Sequence, residues 1–218
     1  MLFDVDGTLI DAAANQRRVW ALWAHEFGVD PNTTYEVALR TRPIETFAIV
    51  APHYDPARCL DRLHQLEDQD AATGTYTAFD GAATLLGHLQ NQPWALVTSN
   101  YAHRVRIRFA RTHLPEPPLI IDAEAVSHGK PDPEGYLLAA RALGVDPKEC
   151  LVIEDSPAGV ASARAAGATV WAVNAATPMP GADRTYRTLN DAVSDVLDVR
   201  PKYWPVVEQP VDAARCVT

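Results

Sequence analysis

Residues 150–167 read CLVIEDSPAGVASARAAG, an apolar run followed directly by a helical pattern with recognisable ends. The run is rich in Val, Ile and Leu, which is typical of a parallel strand that is buried on both faces. Ser156 is a good helix N-cap, Pro157 fits the first helical position and Gly167 fits the exit. The stretch therefore predicts one strand and one helix joined by a short turn, the repeating unit of an α/β sheet.

Other parts of the chain show the same apolar runs and the same helical patterns. In residues 130–144, Asp132 is a candidate cap, Pro133 fits the first helical position and Gly144 fits the exit. Strands that alternate with helices predict a doubly wound, parallel α/β sheet. The predicted strands are residues 1–3, 94–100, 119–123, 150–156 and 169–174.

Residues 12–78 break this alternation. Apolar residues in segments 15–28 and 56–69 recur at helical spacing, and no convincing strand precedes residue 94. A helical module of roughly 65 residues is therefore expected after the first strand. We predict an α/β core of residues 1–11 and 79–200, a helical insert of residues 12–78, and a tail of uncertain structure over residues 201–218.

The composition limits the partners that we expect. With 47% apolar and 22% charged residues among 218, the chain has the balance of an ordinary globular protein. Its formal net charge is −9 and its 19 Lys and Arg residues are dispersed, so we expect no nucleic-acid partner. No apolar run approaches the roughly 18 residues of a membrane span, so we expect no membrane partner.

The same composition favours a cytoplasmic protein, either a monomer or a homodimer. The three cysteines are far apart and odd in number, as expected for free thiols in a reducing compartment. Only three residues precede Asp4, so we expect no secretory signal.

Polar side chains follow several of the predicted strands. In an open α/β sheet, ligands bind beyond the carboxyl ends of the strands, so these side chains should converge. A cluster of carboxylates needs a cation to offset its repulsion, and oxygen ligands without His or Cys favour Mg²⁺. A phosphate attracted to the cation and to a lysine would then meet an aspartate, which can act as a nucleophile. The residues concerned are Asp4, Asp6, Thr98, Ser99, Asn100, Lys130, Glu154 and Asp155.

Four short motifs occur in one order along the chain, namely DVDGT (4–8), VTSN (97–100), GKPDP (129–133) and EDSPAG (154–159). The series resembles that of the haloacid dehalogenase superfamily of phosphotransferases, and the resemblance extends from residue 2 to about residue 175. It implies a doubly wound (Rossmann-like) core with an inserted α-helical cap. It also implies Mg²⁺ as cofactor and an aspartyl-phosphate intermediate.

The first motif carries the chemistry that this resemblance implies. Asp4 resembles the nucleophile that attacks phosphorus. Asp6 resembles the acid/base that protonates the leaving oxygen, and its backbone carbonyl would help to bind the metal. Dehalogenases that attack carbon lack the second aspartate, so Asp6 favours phosphorus chemistry.

The other motifs resemble groups that bind phosphate and metal. Thr98 and the backbone around Ser99 would bind the phosphoryl oxygens, with Asn100 beside them. Lys130 would neutralise charge on Asp4 and on the phosphate. Among the metal ligands, Asp155 would join Asp4 and Asp6, and Glu154 would be either a further ligand or an outer partner.

The insert resembles the small helical cap of the β-phosphoglucomutase-like branch, which would close over the site and exclude water. Mutases of this branch carry a His at the position aligned with Gln16, and an amide is a poor base. Gln16 therefore favours hydrolysis and is a candidate substrate contact. The segment RTRPIETF (40–47) resembles the cap segment of sugar-phosphate phosphatases and makes Arg42 a second candidate. Other stretches are similar to glycerol phosphatases and 2-deoxyglucose-6-phosphatases.

The sequence thus predicts a Mg²⁺-dependent phosphatase that acts on a small phosphorylated sugar or polyol. A β-phosphoglucomutase-like phosphomutase is one alternative, and it would produce an isomeric sugar phosphate. A non-catalytic sensor of a phosphate ligand is another, and it would bind without turnover. The presence of both Asp4 and Asp6 disfavours the sensor, because binding alone needs no acid/base.

Overall fold

The computed structural model describes residues 1–89 and 92–203. In chain order the strands are β1 (Leu2–Phe3), β2 (Ile10–Asp11), β3 (Thr77–Ala78), β4 (Ala95–Val97), β5 (Ile120–Ile121), β6 (Leu151–Glu154), β7 (Thr169–Ala172) and β8 (Arg184–Thr185). The helices are α1 (Ala13–Glu26), α2 (Pro31–Ala38), α3 (Pro43–Val50), α4 (Pro56–Thr73), α5 (Ala82–Gly87), α6 (Ala102–Arg111), α7 (Glu134–Leu143), α8 (Pro157–Ala165) and α9 (Leu189–Tyr203).

The main sheet has the order β5-β4-β1-β6-β7-β8, and each neighbouring pair is parallel. The predicted doubly wound α/β fold is confirmed. Strand β1 lies at the centre although it has two residues, and Leu2 is in register with Ala95 of β4 and Val152 of β6. Successive strand residues point to opposite faces, so Phe3 belongs to one buried apolar cluster and Leu2 to the other.

The helix ends follow the capping pattern of the sequence. Ser156 Oγ accepts a hydrogen bond from the Gly159 amide at 3.0 Å, as predicted for the N-cap of α8. Helix α7 starts at Glu134, one residue later than predicted, and Asp132 Oδ1 accepts from the Glu134 amide at 2.9 Å. The residue after α7 is Gly144, whose φ of 69° lies in the left-handed region that glycine adopts without strain.

Helices α1 to α4 share an apolar cluster of their own. Trp23 is fully buried there and stacks on Phe27 and Phe47, with ring centroids 4.4 and 4.9 Å away. Its indole N–H donates to the Cys59 carbonyl at 3.0 Å, which satisfies the one polar atom of the ring. The four helices thus pack on one another, while the domain boundaries at residues 12 and 78 stay a prediction.

A two-stranded antiparallel sheet lies where the chain enters and leaves these helices. Ile10 of β2 pairs with Ala78 of β3, and Asp11 pairs with Thr77. The expectation that no strand precedes residue 94 in this region was wrong, because a strand of two residues is too short to show an alternating pattern.

Charged contacts join α4 to α6, which packs beside the main sheet. The Arg104 side chain is 2% exposed and contacts the carboxylates of Glu67 and Asp68. It also donates to the His64 carbonyl at 3.2 Å, and Arg111 donates to the Gly74 carbonyl at 3.1 Å. The helical insert is therefore fastened to α6 by arginine side chains.

Three further features of the described residues concern the tail, the cysteines and possible membrane spans. Helix α9 continues to Tyr203, three residues past the predicted core, and the rest of the predicted tail lies outside the described residues. Cys59 and Cys150 are buried free thiols. Within residues 1–89 and 92–203, no helix has the length and apolar character needed to cross a membrane.

Candidate active site

Lys130 lies between two carboxylates at the carboxyl ends of β1 and β6. Its Nζ atom is 2.6 Å from Asp4 Oδ1 and 2.7 Å from Glu154 Oε1. Asp4 directly follows β1, Glu154 is the last residue of β6, and Lys130 lies in the loop before α7. The structure thus brings together two residues that the sequence placed at separate strand ends, Asp4 and Glu154, with Lys130 from the loop after another strand, as expected at the carboxyl edge of a parallel sheet.

Burial sets the charge balance of this group. Burial lowers the pKa of Lys130, but the carboxylates of Asp4 and Glu154 raise it more, so the pKa lies well above its ordinary value. Burial also raises the pKa of Asp4 well above its usual range, against the lowering effect of Lys130. The ammonium group is therefore charged, and one lysine does not suffice to stabilise all the carboxylates around it.

Thr8 connects Asp4 to a third carboxylate. Its Oγ1 lies 2.9 Å from Asp4 Oδ2 and 3.1 Å from Asp155 Oδ1. A hydroxyl has one hydrogen, so Thr8 cannot donate fully to both groups at once. Burial, with Glu154 adding to it, raises the pKa of Asp155 to about 6. The pair of aspartates around Thr8 therefore needs more positive charge than the described side chains supply.

The chemistry of these side chains fits a hard divalent cation. Oxygen atoms of Asp4, Glu154 and Asp155 all lie within 4.8 Å of one another. Carboxylate oxygens that are short of counter-charge are the ligands that Mg²⁺ prefers.

Glu154 differs from the two aspartates because hydrogen-bond donors already occupy both of its oxygens. Oε1 accepts from Lys130 and from the Tyr136 hydroxyl at 3.2 Å. Oε2 accepts from the amides of Asp155 and Ser156 at 2.8 and 2.9 Å, and from Ser156 Oγ at 3.0 Å. This environment favours Glu154 as the support of Lys130, with Asp4 and Asp155 more available to a metal.

Two glycines allow the close approach of these carboxylates. A Cβ atom at Gly159 would lie 1.6 Å from Glu154 Oε1. A Cβ atom at Gly7 would lie 2.1 Å from Asp155 Oδ2, and the φ of Gly7 is +100°. The motif glycines therefore give the carboxylates room that any side chain would fill.

Asp6 has a separate set of donors. Arg108 Nη1 lies 2.7 and 2.9 Å from its two oxygens, and Asn100 Nδ2 lies 3.1 Å from Oδ2. The sequence analysis placed Asn100 among the phosphate contacts and did not predict its contact with Asp6, and it missed Arg108. The sequence feature that could have identified Arg108 is the helical spacing of Arg104, Arg108 and Arg111, which places the three arginines on related sides of α6.

The polar residues after β4 lie at the same edge of the sheet. Thr98 is buried and its Oγ1 accepts from the Asn100 amide at 3.0 Å, whereas Ser99 is exposed. Within the described part of the chain, no hydrogen bond joins Thr98 or Ser99 to Asp4. Asn100, whose amide donates to Thr98, connects this segment to Asp6.

Two residues of the helical insert, Gln16 and Arg42, were predicted as substrate contacts. Gln16 of α1 and Arg42, which precedes α3, are both exposed. Among the described residues, neither side chain forms a hydrogen bond with any residue of the carboxylate cluster. Their roles as substrate contacts stay predictions.

The sequence of this chain is similar to those of known hydrolases. Residues 1–167 match the family model of the haloacid dehalogenase-like hydrolases. Hexitol phosphatase A of Escherichia coli (strain K12) is 40% identical over 184 residues, covering 82% of this chain and 84% of the relative. Validoxylamine A 7'-phosphate phosphatase of Streptomyces hygroscopicus subsp. limoneus is 35% identical over 178 residues, covering 76% and 81%.

Solved structures agree with the fold. The crystal structure of CbbY from Rhodobacter sphaeroides in complex with phosphate superposes with a TM-score of 0.76. Its sequence is 24% identical, and the match covers 88% of this chain and 94% of that chain.

Proposed function

Since the chain belongs to the haloacid dehalogenase-like hydrolases, we propose that it uses Mg²⁺ and an aspartyl-phosphate on Asp4 to hydrolyse a small sugar or polyol phosphate. The resemblance predicted from the four motifs is confirmed, and the chain is a phosphoric monoester hydrolase. The observation that carries the proposal is the position of Lys130 against Asp4, with Asp155 on the other side of that carboxylate through Thr8.

The reaction has two steps in which Asp4 and Asp6 change roles. An Asp4 oxygen attacks phosphorus, the bond from phosphorus to the substrate oxygen breaks, and Asp6 gives that oxygen a proton. Asp6 then takes a proton from water, which attacks the phosphorus of the aspartyl-phosphate and releases inorganic phosphate. Asp4 and the proton on Asp6 are thereby restored.

The surrounding residues stabilise the charge that develops. Lys130 contacts Asp4 and so lies where negative charge passes between the carboxylate and the phosphoryl group. Glu154 keeps Lys130 in place through its own contact with the ammonium group. Thr98 and the backbone at Ser99 are the proposed contacts of the phosphoryl oxygens.

Asp4, Asp155 and the backbone carbonyl of Asp6 are the proposed ligands of Mg²⁺. The ion, when bound, supplies positive charge that polarises the phosphoryl group. Glu154 is proposed as an outer partner, because donors already satisfy both of its oxygens. The raised pKa of Asp4 supports the need for this cation.

The substrate class rests on the relatives and on the helical insert. The two phosphatases reported above act, by their names, on a hexitol phosphate and on validoxylamine A 7'-phosphate. We propose that helices α1 to α4 form the cap and that Gln16 and Arg42 contact the leaving group. The amide of Gln16 favours hydrolysis over transfer back to a sugar, because it cannot act as a base.

Phosphate release from a panel of hexitol, sugar and glycerol phosphates tests this proposal. The assay is run with Mg²⁺ and with a chelator, and products are separated by chromatography. Mg²⁺-dependent release of inorganic phosphate is expected. Conversion of β-glucose 1-phosphate to an isomer without phosphate release would instead show a mutase. Binding of a sugar phosphate with no product in any assay would show a sensor.

A further inference from the structure

Arg108 of α6 is a buried arginine that contacts Asp6 but none of the other carboxylates of the described site. Its side chain is 4% exposed, and its Nη1 atom donates to both Asp6 oxygens, at 2.7 and 2.9 Å. Asn100 adds a third hydrogen bond to the same carboxylate, at 3.1 Å. These contacts hold the Asp6 carboxylate in one orientation, apart from the donors that surround Asp4.

The burial of Arg108 has a cost in stability. Its Nε atom is buried and has no hydrogen-bond partner in the described chain. A buried donor without a partner has lost its hydrogen bonds to water without replacement, and a buried ion pair contributes little to stability compared with apolar side chains of the same volume. The effect of Arg108 on Asp6 explains its position better than a contribution to stability does.

We propose that Arg108 is a positioning residue for Asp6, and that Tyr76 fixes Arg108 in turn to the helical insert. The inference rests on the proposed function, in which Asp6 gives its proton to the leaving oxygen. The proton must start within hydrogen-bond reach of that oxygen, so the orientation of the Asp6 side chain limits the rate of the first step. The ion pair with Arg108 belongs to the ionised carboxylate, which is the form of Asp6 that remains once the proton has left.

Tyr76 connects this arginine to helices α1 and α4. The guanidinium carbon of Arg108 lies 4.9 Å from the centroid of the Tyr76 ring. The Tyr76 hydroxyl donates to Asp70 of α4, which also accepts from Asn15 of α1 at 3.0 Å. Burial, with the Asp70 contact adding to it, raises the pKa of Tyr76 to about 12, so the hydroxyl keeps its proton at neutral pH.

The contacts from Asp6 through Arg108 and Tyr76 to Asp70 form a continuous path. It runs from the catalytic edge of the sheet to the helical insert. A shift of α4 relative to α6 would move the Tyr76 ring and remove the support of the guanidinium group. The orientation of the acid therefore depends on the position of the insert.

The dependence of the rate on the leaving group separates positioning of the acid from a general structural effect. An alkyl phosphate has a poor leaving group that needs a proton, whereas 4-nitrophenyl phosphate has a good one that does not. The ratio kcat/KM covers the steps up to the departure of that group. A defect in acid positioning must therefore lower kcat/KM much more for a hexitol phosphate than for 4-nitrophenyl phosphate.

The test compares Arg108→Met with Arg106→Met. Arg106 is an exposed arginine of the same helix, paired with an exposed Glu116. We expect Arg108→Met to lower kcat/KM about 100-fold for the hexitol phosphate and at most about threefold for 4-nitrophenyl phosphate. Arg106→Met should change neither value.

Two milder variants keep the test usable if Arg108→Met does not fold. Arg108→Lys retains a cation and should recover part of the hexitol-phosphate activity. Tyr76→Phe keeps the ring and removes the bond to Asp70, so it should show a smaller loss of the same selectivity.

An equal loss for the two substrates in every folded variant would overturn the inference and leave the proposed function intact. Absence of phosphate release by the wild-type protein would instead refute the proposed function itself.

Discussion

Lys130 Nζ lies 2.6 Å from Asp4 Oδ1, so the ammonium group directly contacts the proposed nucleophile. The same nitrogen lies 2.7 Å from Glu154, which has no exposed surface. One cation therefore holds two buried carboxylates together, and its removal should affect both the activity and the stability.

We predict that Lys130→Met lowers kcat by at least about 100-fold, because it removes a charge aimed at the reacting group. It also leaves Asp4 and Glu154 without their shared counter-ion, which should cost about 3–5 kcal/mol of unfolding free energy. Phosphate release and denaturant unfolding measure the two effects. Lys148→Met is the matched control, since Lys148 is exposed. Wild-type turnover in Lys130→Met would exclude the proposed role.

The close approach of Gly159 to Glu154 gives a prediction about stability. In Gly159→Ala the new Cβ would lie 1.6 Å from Glu154 Oε1, so the carboxylate must move away from Lys130. We expect a loss of about 1–3 kcal/mol in unfolding free energy, together with reduced kcat. Gly87→Ala is the control, because nothing lies within 4 Å of a Cβ atom there. Equal unfolding curves for the two variants would show that the approach is not as close as described.

The sequence predicted those parts of the fold and of the site that local patterns control. The cap at Ser156 and the exit at Gly144 depend on neighbouring residues, and the structure shows both. The meeting of Asp4 with Lys130, 126 residues apart, follows from the rule that parallel strands end at one edge.

Other features depend on contacts that no local pattern records. The β2–β3 pair is two residues long in each strand, too short for an alternating signal. Arg108 approaches Asp6 from a helix 102 residues away, and its register on that helix depends on how α6 packs. The sequence also left open whether Glu154 is a metal ligand or an outer partner, because the answer depends on the donors around each of its oxygens.

The pKa of Asp155 gives a prediction about metal-free protein. Burial and Glu154 raise it from 3.8 to about 6, so ionisation of Asp155 destabilises the folded state. The folded state therefore gains stability when Asp155 is protonated. That gain is complete below pH 3.8 and is lost as the pH rises through about 6. Asp155→Asn should therefore raise the Tm of metal-free protein by about 3–8 °C at neutral pH and leave it unchanged near pH 4. Asp198→Asn, at an exposed carboxylate of α9, should change neither Tm.

Binding of Mg²⁺ should offset the destabilisation that ionised Asp155 causes in the wild-type protein at neutral pH. The ion needs the ionised carboxylates, so its addition should raise the Tm at neutral pH and much less near pH 5. Asp155→Asn should lose most of this response. Thermal unfolding with Mg²⁺ and with a chelator measures it. An equal rise at both pH values, or an undiminished response in Asp155→Asn, would place the metal elsewhere.

Phosphate release by Asp4→Asn tests directly whether Asp4 is the nucleophile. The variant keeps the size of the side chain but replaces the attacking carboxylate by an amide, and circular dichroism would verify its fold. We predict Mg²⁺-dependent release of phosphate from a hexitol phosphate by the wild-type protein, and none above background by folded Asp4→Asn. Substantial turnover by that variant would contradict the aspartyl-phosphate mechanism.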